Sequence, residues 1–296
     1  MKVVVSTSSF SESSDKAICR LLDKGIEVVK NPYRRKMTED EIIRHLADAD
    51  GLLAGLEPLN ENVFKQSPQL KAIARIGIGM DNVDMAAAGK YGIKVSNTPD
   101  GPTQAVVEMT LAALLSILHY LIPANHDVHN GIWKKRLGRS ISSLKILIIG
   151  YGRIGQAAEK LFKTLGAQVL IYDKYCERAS TVSLKDGLVQ ADVISLHASG
   201  RDEIIGKKEL DQMREGCIIL NSARGTLVNE DALYEALKVN KVSAFWGDAL
   251  WYEPYSGKLC QCDNAILTPH MSTYTAECRE TMEMQAVENL LIDLGI

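Results

Sequence analysis

The chain has 296 residues, 46% hydrophobic and 24% charged, the make-up of an ordinary globular protein long enough for two domains and a sizeable core. Its net charge is −3 with a pI near 6.1 and its Lys and Arg are scattered, so it lacks the electrostatic footprint of a nucleic-acid binder; a small anionic ligand needs only local positive charge. The six cysteines are widely spread and "MKVVVSTSSF" carries no long apolar h-region or cleavage motif, so a cytoplasmic, reducing setting is expected.

From the N-terminus, "KVVVS" (2–6) reads as a strand, followed by a helix pattern from Ser14 to Leu22, the strand "IEVV" (26–29), a helix opened by Thr38-Glu39-Asp40-Glu41, and the strand "GLLAG" (51–55). The rhythm continues with a short helix after Asn60, the strand "KAIARIG" (71–77), a helix near Met85–Tyr91 and the strand "IKVS" (93–96). It stops in the breaker-rich "NTPDGPT" (97–103), where a first α/β domain can close. The most apolar segment, Ala105 to Leu121, carries Glu108, Thr110, Ser116 and His119 and falls short of the ~20 apolar residues of a membrane span, so it is expected as a buried helix, at a subunit interface. A polar connector (130–144) leads into a second alternating series, with strands "KILII" (145–149), "QVLIY" (168–172), "DVISL" (192–196), "CIIL" (217–220), "SAFWG" (243–247) and "AIL" (265–267). Strands alternating with helices build parallel sheets, so the expected fold is α/β, with two doubly wound, Rossmann-like domains. Residues 1–98, completed by 280–296, are expected to form one and residues 99–279 the other.

The stretch "KILIIGYGRIGQAAEKLFKTLGAQVLIYDKY" (145–175) carries the first chemical signal. Gly150, Gly152 and Gly155 follow a buried strand and open a helix with apolar Ile154, Ala158, Leu161, Phe162 and Leu165. At that spacing the first glycine makes the turn, the second lets backbone N–H groups approach a pyrophosphate, and the third lets helix and strand pack closely. Arg153 and Ile154 lie between them and belong to the same loop. The next strand ends in Asp173, about 20 residues past the motif, where a carboxylate takes the adenosine ribose hydroxyls and repels a 2′-phosphate. The expected cofactor is therefore NAD rather than NADP, although the adjacent Lys174 leaves room for the latter. Loop glycines and a surface acid would be the bland alternative.

Nicotinamide chemistry on an alcohol or ketone needs a proton donor and acceptor, a cation for an anionic substrate, and a carboxylate to tune the acid–base group. The C-terminal third places such groups just past successive strands. Arg224 lies in "NSARGTLVNEDAL" (221–233), Asp248 and Glu253 in "GDALWYEP" (247–254), and His270 in "LTPHMSTYT" (267–275). In open α/β sheets ligands lie at those carboxyl ends.

With "GLLAGLEPLNENVF", "LKAIARIGIGMDNVDMAAAGKYGIKVSNTP" and "ADVISLH", these motifs resemble the D-isomer-specific 2-hydroxyacid dehydrogenase family over nearly the whole chain, and more closely its phosphoglycerate-dehydrogenase-like branch. The resemblance implies that Arg224 binds substrate, that His270 is general acid for reduction and general base for oxidation, and that Glu253 is its carboxylate partner, holding the ring and favouring the imidazolium. It implies that Asp248 contacts the nicotinamide amide, that Ala223 and His197 pack beside the cofactor, and that backbone N–H groups around Ile76, Gly77, Ile78 and Gly79 take the substrate carboxylate. Arg75, just before that loop, stands where the phosphoglycerate-type enzymes tend to carry a basic residue for a substrate phosphate, although no second arginine lies near Gly55. The implied function is hydride transfer between NAD(H) and C2 of a small D-2-hydroxy or 2-oxo acid, first 3-phosphoglycerate and 3-phosphohydroxypyruvate, alternatively glyoxylate or hydroxypyruvate. The active site is expected in a cleft between the domains, in a cytoplasmic homodimer that uses no metal, membrane or nucleic acid.

Each residue has a structural rival: Arg224 as a surface ion-pair partner, Glu253 as a loop acid, His270 as a helix-cap histidine. Cys260-Gln261-Cys262 is half of a possible metal site with no second half at zinc spacing. The family's proline two residues after His197 is replaced in "HASGRDE", and the chain ends at Ile296 soon after its last helix, so an appended regulatory domain is not expected. A cofactor-sensing, corepressor-like binding protein shares the fold and the Arg–Glu–His set, but no basic patch or disordered tail supports it here.

Overall fold

The computed structural model describes residues 1–176 and 179–296. The chain divides into two compact units, Met1–Pro102 with Thr273–Ile296, and Thr103–Ser272.

The first unit is built on strands β1 (Lys2–Val5), β2 (Glu27–Val29), β3 (Gly51–Ala54), β4 (Ala72–Arg75) and β5 (Lys94–Asn97), all parallel in the order β2-β1-β3-β4-β5. Its helices are α1 (Lys16–Leu22), α2 (Glu39–His45), α3 (Glu61–Lys65), α4 (Met85–Lys90) and, at the far end of the chain, α11 (Ala276–Leu294). Their starts follow from side-chain chemistry. Thr38 and Glu41 form a reciprocal capping box on α2, while Asn60 and Asp84 cap α3 and α4 by accepting from Val63 and Ala87 N–H groups. One sheet face buries Val4, Leu52, Ala54 and Ile73 against Ile42, Phe64 and Ala88. Helix α11 packs along β3, β4 and β5. A Cβ on Gly51 would stand 3.2–3.3 Å from Leu290 and Leu294, so glycine lets that helix come close. The return to this unit begins at Thr273, ahead of the expected 280, because α11 runs unbroken from the Thr275 cap and buries one face from Cys278 to Leu291.

The second unit opens with α5 (Pro102–Leu118) and α6 (Leu121–His129), then alternates β6 (Lys145–Ile149), α7 (Arg153–Thr164), β7 (Gln168–Tyr172), α8 (Leu184–Gln190), β8 (Val193–Leu196), α9 (Lys207–Gln212), β9 (Cys217–Asn221), α10 (Glu230–Lys238), β10 (Val242–Gly247) and β11 (Ala265–Leu267). The six strands are parallel in the order β11-β10-β9-β8-β6-β7. Alternation along each strand sends side chains to two cores. Leu147, Ile149, Ile194, Leu196 and Phe245 meet α8, α9 and α10 on one face; Ile146, Ile148, Val193, Leu220 and Trp246 meet Val107, Leu114, Ala158 and Phe162 on the other. Each such side chain contributes about 1.5–3 kcal/mol of burial free energy.

The helix expected over 105–121 is α5, which ends three residues early at Leu118, and α6 follows it at a bend of 59°. Pro123 accounts for the break. Inside a continuous helix it would forfeit a hydrogen bond and clash with the preceding turn, whereas in the first turn of a new helix it needs no N–H, so the chain turns through left-handed Tyr120 (φ 55°) and restarts at Leu121. Among the described residues no single helix is long and apolar enough to cross a membrane.

Candidate active site

The glycine loop is fixed by close backbone packing. Gly150 has φ +94°, and a Cβ there would lie 2.4 Å from the Ala198 nitrogen; one on Gly155 would lie 2.1 Å from the Gly150 carbonyl oxygen. Around Gly152, by contrast, a Cβ would meet nothing within 4 Å, which leaves the backbone open to an approaching anion. Gly152 is the N-cap of α7 and offers no side chain, so the N–H groups of the first turn, from Arg153 on, face outward with the positive end of the helix dipole; Ile154 packs down onto the core.

A pocket of about 580 Å³ extends from this loop, lined by Gly150, Tyr151, Gly152, Asp173, Tyr175 and His197 among others. Asp173 Oδ2 accepts the Tyr151 N–H at 2.6 Å, and Oδ1 accepts those of Tyr175 and Cys176 at 2.8 Å each. Burial opposes its ionised form, but these three donors outweigh burial and hold the carboxyl below its usual range, so a negative charge stands in the pocket. One acceptor position on Oδ2 remains for a ribose hydroxyl. His197 lies under the loop, its Nε2 2.8 Å from Ser195 Oγ and its Nδ1 3.2 Å from Ser222 Oγ; burial pulls it down to about 4 and keeps it neutral.

The catalytic candidates stand at the carboxyl ends of β9, β10 and β11. Asn221, fully buried, accepts the Ala223 N–H at 3.0 Å and donates to the Arg224 carbonyl at 2.8 Å, which fixes the backbone that carries Arg224; Arg224 Nη1 donates to the Ala223 carbonyl at 2.8 Å. His270 Nδ1 lies 2.9 Å from Glu253 Oε1 and 3.2 Å from Oε2, with both side chains about one-third exposed. With Nδ1 so engaged, Nε2 is the ring nitrogen left to exchange a proton. The Glu253–Pro254 peptide is cis, and the segment is anchored by Trp251, whose indole N–H donates to the Val228 carbonyl at 2.8 Å and whose ring meets Phe245 and Tyr255.

Asp248 is 1% exposed and accepts from Thr268 Oγ1 (2.6 Å), Met271 N–H (2.9 Å) and Ser272 N–H (2.8 Å). Beside it, Ser272 Oγ is buried and finds no hydrogen-bond partner among the described residues. An orphaned hydroxyl next to a carboxylate is what a carboxamide would satisfy, so together with the open glycine loop and Asp173 these residues fit a nicotinamide dinucleotide. Ser272 and Thr268 escaped the sequence reading, as did Ser195, Ser222 and Asn221. They are small polar residues whose meaning lies in spatial contacts rather than in spacing.

In the first unit, Arg75 is 9% exposed and its Nη1 donates to the Ile76 carbonyl at 2.7 Å. The guanidinium lies so close against Gly77 that any Cβ there would overlap it. The Ile76 N–H is used by the Ala54 carbonyl (2.9 Å) and the Gly77 N–H by Thr98 Oγ1 (2.6 Å). Of the four N–H groups expected to meet a carboxylate, that leaves those of Ile78 and Gly79. Among the described residues no three metal-binding side chains converge, and all six cysteines are unpaired thiols.

Residues 111–272 match the NAD-binding domain of the D-isomer-specific 2-hydroxyacid dehydrogenases. A D-3-phosphoglycerate dehydrogenase from Archaeoglobus fulgidus is 33% identical over 98% of this chain, which spans 57% of that relative's length; a hydroxypyruvate reductase from Blautia hydrogenotrophica is 35% identical over 87% of this chain and 86% of its own. Among solved structures, a Thermus thermophilus protein superposes with a TM-score of 0.91 at 31% identity, covering 100% of this chain and 97% of its own, and a D-2-hydroxyisocaproate dehydrogenase with 0.84 at 26%, covering 98% and 96%. The chain belongs to the D-isomer-specific 2-hydroxyacid dehydrogenase family, NAD-dependent oxidoreductases that act on the CH–OH group of 2-hydroxy acids.

Proposed function

We propose that this enzyme reduces a small 2-oxo acid without a phosphate, of the size of hydroxypyruvate or glyoxylate, to the D-2-hydroxy acid, with Arg224, Glu253 and His270 as its catalytic residues. The observation that carries the choice of substrate is Arg75. Its guanidinium is packed behind Gly77 as part of the carboxylate loop, with Nη1 bonded to the Ile76 carbonyl, and Gly55 supplies no second cation. Arginine meets a phosphate best with its fork presented bidentately, and the fork of Arg75 has Nη1 turned back to the Ile76 carbonyl. In favour of 3-phosphohydroxypyruvate stands the position of Arg75 itself, at the end of β4 and next to Ile78 and Gly79.

In this reading the Ile78 and Gly79 N–H groups take the substrate carboxylate and Arg224 orients it and polarises the C2 carbonyl. NADH, when bound, would supply the hydride for C2. His270 Nε2 gives its proton to the C2 oxygen, and Glu253, on Nδ1, steadies the imidazolium that carries this proton beforehand. Asp173, Gly150, Gly152, Gly155, Arg153 and Ile154 hold the dinucleotide, with Ala223, His197 and Asp248 along its nicotinamide half.

We propose further that the enzyme is a homodimer. Helix α5 spends its apolar side on the core, but Leu121, Ile122, Val128 and Ile132 are exposed, Trp133 is 85% exposed and Leu137 95% exposed, all within one short stretch of chain. Such a patch on a folded unit marks an interface, and this one suits a second copy. Six unpaired thiols support a reducing, cytoplasmic location.

The test is NADH oxidation against hydroxypyruvate, glyoxylate, pyruvate and 3-phosphohydroxypyruvate, with His270→Ala alongside. A kcat/KM highest for 3-phosphohydroxypyruvate would reverse the choice of substrate, and full turnover in His270→Ala would refute the catalytic assignment.

A further inference from the structure

His270 has φ +52°, a left-handed backbone that a residue with a Cβ keeps only where its surroundings impose it. Those surroundings converge on one buried side chain. Asp248 Oδ1 accepts from Thr268 Oγ1 at 2.6 Å and from the Met271 N–H at 2.9 Å, Oδ2 accepts the Ser272 N–H at 2.8 Å, and the His270 N–H is shared between the backbone carbonyls of Thr268 at 2.9 Å and Asp248 at 3.0 Å. Asp248 therefore grips the chain on both sides of His270 and at His270 itself.

What sets Asp248 is the hydroxyl of Thr268. Trp246, fully buried near the end of β10, points its indole N–H at Thr268 Oγ1, 3.1 Å away. An indole nitrogen only donates, so Thr268 must accept there, and its single proton is left for Asp248 at 2.6 Å; the Gly247 carbonyl at 3.4 Å is the weaker alternative. The relay has one polarity: Trp246 to Thr268, Thr268 to Asp248. Glu253 holds the His270 ring from the other side at 2.9 Å, so ring and backbone are fixed by separate groups.

We infer that Thr268 is a positioning residue for His270: its hydroxyl, oriented by Trp246, fixes Asp248, and Asp248 holds the 268–272 turn in the form that brings His270 to Glu253. This rests on the reading of His270 as the proton-transfer residue. Among the described residues the Thr268 hydroxyl makes no hydrogen bond to the imidazole, so it acts on proton transfer through Asp248; because Asp248 also lies along the nicotinamide half of the proposed site, cofactor affinity is read separately.

The experiment compares Thr268→Val, Thr268→Ser and Trp246→Phe with wild type and His270→Ala, using NADH and whichever 2-oxo acid the wild type turns over fastest. Thr268→Val is expected to lower kcat about a hundredfold, the scale of an ångström-sized misplacement. Any weakening of NADH binding should account for much less than the drop in kcat/KM, and the solvent deuterium isotope effect on kcat should rise as proton transfer becomes limiting, a change that a general loss of folded protein does not produce. Thr268→Ser, which keeps the hydroxyl, restores most of the rate. Should Thr268→Val fail to fold, Trp246→Phe, which removes the donor that orients the hydroxyl together with part of a buried ring, carries the same expectation at smaller size, read from the isotope effect, which a loss of folded protein does not move. Wild-type kcat and isotope effect in Thr268→Val beside an inactive His270→Ala overturn this inference alone. So does equal loss in the Val and Ser variants, or a weakening of NADH binding that accounts for the whole drop in kcat/KM. Full activity in His270→Ala overturns the reading beneath it.

Discussion

His197 makes the second unit sensitive to acid in a calculable way. Its side chain is half-buried in the pocket wall, its two partners are the neutral hydroxyls of Ser195 and Ser222, and burial pulls it from an ordinary 6.5 to about 4. In the unfolded chain the same imidazole titrates near 6.5. Above that pH it is neutral in both states and the stability is fully present. Between 6.5 and about 4 the unfolded state binds a proton that the folded state refuses, so stability falls as pH falls, levelling off below about 4. At ~1.4 kcal/mol per pH unit the gap amounts to about 3 kcal/mol, a large share of a typical stability. The perturbation is His197→Gln, which removes the titration. All three tryptophans, Trp133, Trp246 and Trp251, lie in the second unit, so urea unfolding followed by intrinsic fluorescence reports on that unit alone. The stability difference between wild type and variant should be flat above pH 7 and shift by about 3 kcal/mol in favour of the variant by pH 4. Buried Glu57 and Glu283, both pushed up by burial, titrate equally in the two proteins and cancel. Parallel curves from pH 7 to pH 4 would refute the reasoning, because they would mean that the buried imidazole accepts its proton as readily as a solvated one.

The two glycines of the cofactor loop should separate fold from binding. Gly155→Ala forces a Cβ to 2.1 Å from a backbone carbonyl that cannot rotate away and should cost about 3 kcal/mol or more of stability, seen as a lower Tm; Gly152→Ala meets nothing within 4 Å and should leave Tm unchanged while weakening NADH binding at least tenfold in a fluorescence titration. Asp173→Ala removes the charge that three backbone donors hold in the pocket, so the ratio of kcat/KM for NADH over NADPH should fall by an order of magnitude or more. Glu253→Gln keeps the shape of the His270 partner without its charge and should lower kcat about a hundredfold with NADH affinity unchanged, measured by steady-state kinetics and direct binding. Trp133→Asp with Leu137→Asp should convert a dimer into monomers in sedimentation velocity without loss of helical signal, since both side chains are almost wholly exposed within one chain.

The parts of this molecule that were legible in the sequence share one physical property: they are specified by neighbours in the chain. The glycine loop could be read because turn, helix start and strand end fall within one short segment, and β6 and β7 came out at the expected residues since a buried parallel strand is an unbroken apolar run. Arg224, Glu253 and His270 could be placed at strand ends, and the 2.9 Å contact between the last two brings together segments that precede and follow β11. What composition and spacing could not supply was the division of hydrogen-bonding capacity. Whether the N–H of Gly77 is available to a ligand or already taken by Thr98, and whether Arg75 reaches outward or folds back on Ile76, depends on rotamers and on residues from other strands.

That difference bears directly on substrate choice. A motif-level reading counts Arg75 as a cation beside the carboxylate loop and so favours a phosphorylated substrate, whereas a structural reading asks what the cation already touches. With its Nη1 bonded to the Ile76 carbonyl and its guanidinium filling the space that only glycine leaves at position 77, Arg75 is packed into the 76–79 loop that we propose takes the substrate carboxylate. Replacing it should therefore damage every 2-oxo acid alike. Arg75→Met is expected to raise KM for hydroxypyruvate and 3-phosphohydroxypyruvate by similar factors, whereas a phosphate-binding arginine would show its loss on the phosphorylated acid alone.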